Sequence, residues 1–164
     1  MRSSLPQAPR LFCRTALASG ATISLDESAA RHVQALRLAR DAPLTLFDGS
    51  GREFAARLLE VSRRGALALV GEGDDLDRES PLAVTLVQGI ASGDRMDLVI
   101  QKATELGVAR IVPVVTTRSI VRLSTERQER RTEHWQNVAI AACEQCGRNR
   151  LPLIDRPFAW HELL

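Results

Sequence analysis

Tyrosine is absent from this chain of 164 residues, and lysine occurs once, as Lys102. Aromatic residues amount to only 4%, four Phe and two Trp. That scarcity argues against a stacking platform for single-stranded bases, which needs exposed rings along a groove. No apolar run approaches the ~20 residues that span a bilayer, so no membrane partner is expected. The N-terminal stretch MRSSLPQAPRLFCR carries charge but no apolar segment, so it does not read as a signal peptide. A cytoplasmic location is the resulting expectation. The three cysteines, Cys13, Cys143 and Cys146, are too few for a disulfide framework, and their number is odd.

What is present is an ordinary globular composition, 45% hydrophobic and 26% charged. The net charge of +2 makes no strong statement about partners. The basic residues are 21 arginines against the single lysine, and a planar guanidinium suits bidentate phosphate contacts.

Periodicity divides the chain near its middle. RLFCR (10–14), ATISL (21–25), PLTLF (43–47), REFAARLLEVS (52–62) and GALALVGE (65–72) read as strands, with Asp48-Gly49 and Ser50-Gly51 as turn chemistry. One helix, ESAARHVQALRL, interrupts them behind Asp26 as N-cap. Short strands with one helix predict a small barrel. GEGDDLDRESP (71–81) holds five acids, two glycines and a proline, and reads as a linker.

Beyond it, LAVTLVQGI (82–90) is an apolar run of the kind buried on both faces of a parallel sheet. DRMDLVIQKATELG follows as a helix with Asp94 as N-cap, Gly107 placed to end it, and a stripe of Met96, Val99, Ile100, Ala103 and Leu106. ARIVPVV (109–115) completes a parallel βαβ unit. A long helix over about 124–146 places Trp135, Val138, Ala139, Ala142 and Cys146 on one stripe. LPLIDRPF (151–158) is a short strand, and AWHELL reads as the beginning of another helix.

The pair in A-C-E-Q-C-G-R-N-R (142–150) has C-x-x-C spacing. Zinc needs four ligands, and the remaining candidates are scattered singly, so no metal is expected. A helix C-terminus also disfavours the thiolate that redox chemistry requires. The thiols read as core, which leaves Glu144, Gln145 and Arg148 projecting from the helix end. By general rules such an end is solvated, because α/β ligands bind at the opposite, carboxyl ends of strands.

The stretches GDRMDLVIQKATELGVARIVPVVTTRSIVR (93–122) and WQNVAIAACEQCGRNRLP (135–152) resemble the RsmE family of 16S ribosomal RNA uridine N3-methyltransferases. RLF, HVQALRL and DGSGREF resemble the family's N-terminal RNA-binding barrel. The resemblance implies an α+β fold: a PUA-like β-barrel at 1–72, a linker at 73–81, and the first part of an α/β SPOUT methyltransferase domain at 82–164. It implies S-adenosyl-L-methionine as cofactor, 16S rRNA or the small ribosomal subunit as substrate, and a homodimer. The family's G-P-E-G-G and L-G-x-x-I-L-R-x-E-T-A knot segments do not occur here, so the cofactor-binding residues are expected beyond Leu164.

Under that reading Arg148 supplies cationic stabilisation or holds phosphate, Glu144 orients it or shuttles a proton, and Gln145 lies beside them. Lys102 and Glu105, spaced i,i+3, form a supporting pair. Arg10, Arg14, Arg37 and Arg40 are the candidate RNA phosphate contacts. Two other readings stay open. One is an RNA-binding module without chemistry; the other is a nucleotide-binding enzyme using GIASGD (89–94), which lacks G-x-G-x-x-G.

Purified protein is expected to hold no stoichiometric zinc. Metal analysis of the native chain and of Cys143→Ser with Cys146→Ser checks this. Zinc present in the first and lost in the second would make the thiols ligands.

Overall fold

The computed structural model describes residues 8–63, 65–76, 78–116 and 125–160. These fall into two compact units, Met1–Arg78 and Glu79–Leu164. The architecture is α+β, as the family resemblance implied. Among the described residues, no helix is long and apolar enough to cross a membrane.

The first unit contains β1 (Arg10–Phe12), β2 (Thr22–Ser24), α1 (Glu27–Ala35), β3 (Pro43–Phe47), β4 (Glu53–Ser62) and β5 (Gly65–Asp74). The strands form one sheet in the order β1-β3-β4-β5-β2, antiparallel except for β1 beside β3. Side chains alternate across a strand, so Leu44 and Leu46, Phe54 and Leu58, and Ala66, Ala68 and Val70 share one face. That face and Ala29, Ala30 and Val33 of α1 enclose the core. Asp26 caps α1 by accepting from the Ala29 N–H at 2.9 Å. Register shifts at Phe54/Ala56 and Leu58/Glu60 bend the β4–β5 pair. Glycine is required in β5 by close approach: a Cβ on Gly71 would lie 2.8 Å from the Ala55 carbonyl oxygen.

The second unit contains β6 (Thr85–Gly89), α2 (Asp94–Glu105), β7 (Arg110–Val115), α3 (Thr125–Cys146), β8 (Leu153–Ile154) and β9 (Phe158–Ala159). Its strands are parallel, with β7 pairing β6, β8 and β9. Met96 and Ile100 of α2, Trp135 and Ala139 of α3, and Ile111 and Ile154 of the sheet make its core.

Four expectations change here. The α2 N-cap is Gly93, at φ 57° and ψ −143°, rather than Asp94, which is the first helical residue. Leu106 is 84% exposed because it is the C-cap residue, past the last turn of the stripe. On α3 it is Cys143 that is buried, while Cys146 is exposed. The buried face there ends one turn earlier than the predicted stripe. β6 is not covered on both faces: Val87, with Leu82 and Val84 before the strand, is exposed. Both helices share their core with Leu86, Ile111 and Ile154, whose face alternates with that of Val87. Of the expected helix start at 159–164, Ala159 instead belongs to β9, and residues 161–164, like 117–122 of the resembling stretch, lie outside the described residues.

Two carboxylates hold the first unit's polar edges. Burial alone would raise the Glu53 carboxyl, but hydrogen bonds and charge from Arg10 and Arg78 hold it below its usual 4.5. Asp48 likewise sits below its usual value: burial is outweighed by hydrogen bonds from Ser50 and from the Leu17 backbone. Lowered carboxyls contribute stability that is present above their unfolded values and lost as pH falls through the folded ones. Thermal unfolding is therefore expected to drop between about pH 5 and about pH 3, and Glu53→Gln with Asp48→Asn should flatten that decline. A double variant as acid-sensitive as the native chain would remove these two groups from the account.

Candidate functional site

The last turn of α3 leads into Gly147, which takes the left-handed φ of 88° and closes the helix by donating to the Cys143 carbonyl at 3.0 Å. The chain then turns Arg148 and Asn149 inward, at 6% and 1% exposure. The Arg148 guanidinium is committed on three sides. Its Nε and Nη2 donate to Oε2 of Glu79 at 2.9 and 2.6 Å. Its Nη1 donates to the carbonyls of Thr104 at 2.8 Å and Val108 at 3.0 Å. The Arg150 backbone N–H donates to Oε1 of Glu79 at 3.2 Å, so the same carboxylate also holds the loop.

The Thr104 carbonyl lies in the last turn of α2 and the Val108 carbonyl just beyond its end. Gly107, at φ 92°, donates to Thr104, and Val108 donates to Ala103, which is the paired bonding of a Schellman ending. Carbonyls at a helix end carry negative partial charge, and a fork of N–H donors with a fixed positive charge matches them. Arg148 therefore joins the end of α3, the end of α2, the start of β7 and Glu79. The expectation that it projects outward is corrected: burial requires all its donors to find partners.

The other candidates separate. Glu144 is half-buried and Gln145 exposed, both in the last turn of α3. Lys102 and Glu105 form the expected pair at 2.8 Å on the exposed side of α2. Arg10 is not at the surface. Its side chain is 6% exposed, it donates to Oε2 of Glu53 at 2.6 Å, and it lies 5.1 Å over the Phe47 ring. Strand position alone suggested a solvated end, but β1 runs beside β3, which brings Arg10 within reach of β4. Arg14 is exposed, 4.0 Å from Asp26. Arg40 is exposed, 3.9 Å from Asp41. Arg37 is exposed and sits at φ 53°, a conformation that costs a side-chain-bearing residue about 1 kcal/mol.

Sequence reasoning passed over Glu79, counted among the linker acids, and the His134–Asp97 pair between α3 and α2 at 2.7 Å. Glu79 carried a faint signal as an acid just before an apolar strand. His134 carried none, since its partner lies 37 residues away. Among the described residues of this unit, two clefts can be named. One, of about 230 Å³, is bordered by Glu79, Gly107, Arg148 and Arg150. The other, of about 300 Å³, lies between Gly93 and Met96 on one side and Arg131 and Trp135 on the other.

Removing one partner of a buried ion pair leaves an uncompensated charge. Arg148→Ala is expected to destabilise the chain by about 3–5 kcal/mol in urea unfolding, and Arg148→Lys to recover little, lacking the fork. Lys102→Ala, on an exposed pair, should stay within about 1 kcal/mol. Equal costs for the two alanine variants would end the brace interpretation.

Comparison with known proteins agrees with the sequence resemblance. The sequence pattern described as RNA methyltransferase domain matches residues 78–164, more than half of the chain. A ribosomal RNA small subunit methyltransferase E from Bacillus subtilis is 30% identical over 144 residues, covering 87% of this chain and 56% of the relative. One from Buchnera aphidicola is 29% identical, covering 91% of this chain and 61% of the relative. Among solved structures, the Neisseria gonorrhoeae methyltransferase E bound to S-adenosyl methionine superposes with a TM-score of 0.91 at 42% identity. A putative Legionella pneumophila methyltransferase in complex with the same cofactor gives 0.92 at 35%. Each covers 96% of this chain, which in turn spans 65% of each. The chain thus covers between about half and two-thirds of the length of these relatives. With its fold and more than half its length matched, the chain belongs to the RNA methyltransferase domain family, with ribosomal RNA small subunit methyltransferases E as its relatives.

Proposed function

We propose that this chain is part of an S-adenosyl-L-methionine-dependent enzyme that methylates N3 of a uridine in 16S ribosomal RNA. The observation that carries this reading is the superposition on the cofactor-bound Neisseria methyltransferase E, at 42% identity over 96% of the chain. Residues 1–72 would serve as the RNA-binding barrel and residues 82–164 as the N-terminal part of the methyltransferase domain, joined through 73–81. A cytoplasmic location and a homodimer belong to the same proposal, as does the small ribosomal subunit as the assembled form of the substrate.

The described residues do not fit the cofactor by themselves. A pocket for a nucleoside with a methionine tail needs apolar walls and converging donors in roughly 300–1,000 Å³. The clefts here reach about 230 and about 300 Å³, and charged side chains line both.

The roles left to this chain are positioning and RNA contact. Uridine N3 bears a proton that must leave as the new bond forms, so a base or a cation near the developing anion is required. Glu144 and Gln145 are the proposed groups facing substrate, with Lys102 and Glu105 in support. Arg148 acts as a positioning residue, since its donors are committed to Glu79 and to α2. Arg14, Arg37 and Arg40 are the proposed phosphate contacts. Arg37 is the strongest of them, because its side chain is exposed and makes no ion pair among the described residues.

Two measurements test the proposal. Titration calorimetry of residues 1–164 with S-adenosyl-L-methionine is expected to show no micromolar binding; such binding would mean that these residues hold the pocket. Arg37→Ala is expected to weaken binding to a 16S rRNA fragment and to lower the salt slope by about 0.7–0.9. An unchanged slope would take Arg37 off the RNA surface. RNA binding by a longer chain that transferred no methyl group would favour the RNA-binding module instead.

A further inference from the structure

Arg78 and Glu79 are neighbours in sequence, and the boundary between the two units falls between them. Their side chains are tied into different units. Nη2 of Arg78 donates to Oε1 of Glu53 at 3.0 Å, on β4 of the first unit. Oε2 of Glu79 accepts from Nε and Nη2 of Arg148 at 2.9 and 2.6 Å, inside the second. Both partners are themselves fixed. Glu53 also accepts from the buried Arg10 at 2.6 Å, and Arg148 is held by the end of α2.

The residues on either side repeat the division. Toward the first unit, β5 runs to Asp74, which lies opposite Glu53 in the β4–β5 pairing, and Asp75 pairs with Arg52. Toward the second, the Arg150 N–H donates to Oε1 of Glu79 at 3.2 Å. Ser80 lies against Gly107, where an added Cβ would come within 3.1 Å of the serine's own. The Ser80 hydroxyl accepts from the Leu82 N–H at 3.2 Å. Pro81 locks its own φ and confines Ser80 to extended conformations.

The stretch 73–81, which composition suggested as a free linker, is thus gripped from both ends. The charges that made it look solvated are the groups that bind it. Each grip lies within one unit, so neither restrains the other. Between the two anchors the soft rotations are ψ of Arg78 and φ of Glu79, because the peptide joining them is planar.

We propose that the peptide between Arg78 and Glu79 is the pivot of the chain, with these two side chains as the clamps that confine movement to it. Nine free residues would have an end-to-end distance of roughly 15–18 Å. One trans peptide keeps its flanking Cα atoms about 3.8 Å apart. Such a pivot lets the units reorient without drifting apart, which holds a partner bound by one at high effective concentration for the other. The clamps are unequal. The Arg78 side chain is 35% exposed and its pair is screened by solvent, whereas the Glu79–Arg148 pair is buried.

Residual dipolar couplings of the backbone N–H groups of residues 1–164 test the pivot, with neither RNA nor cofactor needed. The two units should require separate alignment tensors. Couplings at Asp74, Asp75 and Arg78 should fit the first unit's tensor, those at Ser80 and Leu82 the second's, and the Glu79 N–H neither. Couplings that fit neither tensor throughout 75–82 would mark a free linker and overturn the proposal. A single tensor for the whole chain would mark one rigid body and overturn it too. Arg78→Ala should cost position 78 its fit to the first tensor while Ser80 and Leu82 keep theirs. Ser80→Ala should loosen position 80 and leave Asp75 and Arg78 unaffected. Neither variant touches the buried Arg148 pair, so both should stay folded. An unchanged profile in Arg78→Ala would leave the pivot without its clamp and overturn the proposal as well.

Discussion

Burying a guanidinium is tolerable only if its positive charge and its N–H donors are all matched, and the second unit is arranged around that demand. Arg148 brings the ends of α2 and α3, the entry to β7 and Glu79 to a single point. The demand runs both ways. The Thr104 carbonyl takes Arg148 in addition to the Gly107 N–H, and Gly107 shapes this ending of α2 by taking a conformation that other residues resist. A lysine would supply the charge but not the fork, so the residue type follows from the geometry.

The first unit solves a related problem with a carboxylate at the centre. Glu53 receives Arg10 from β1 and Arg78 from the segment after β5, and the two arginines outweigh the cost of its partial burial. Asp48 does the same for backbone donors, holding Leu17 and Ser50 and so fixing the loop before β2 to the β3–β4 turn. In both units, then, charged residues that composition would assign to the surface act as internal ties. The arginines left for a polyanionic partner are those without such ties, among them Arg37, held in a left-handed conformation at the end of α1.

The division of labour within the second unit follows from the direction of its strands. Strands run toward the cleft at Gly93, while the end of α3 lies at the other end of a βα repeat. The brace at Arg148 and the cleft at Asp97 therefore belong to opposite ends of the sheet.

The α+β class came with the family resemblance, while hydrophobic periodicity by itself determined most of the element order and the parallel βαβ unit. Those features depend on local spacing and on which residues need burial. Asp26 as a cap and Gly107 as a helix stop were legible for the same reason: both act on neighbours within a few residues. The family motifs, read along the chain, were enough to indicate the RNA methyltransferase relationship. Only the tertiary structure decided which charges are internal. Arg10 and Glu53 are 43 residues apart, Arg148 and Glu79 are 69, and Asp97 and His134 are 37. No local rule pairs such residues. Tertiary packing also decided the buried face of α3, exchanging Cys146 for Cys143, and left β6 open on one face, because a side chain's burial depends on what the rest of the chain brings against it.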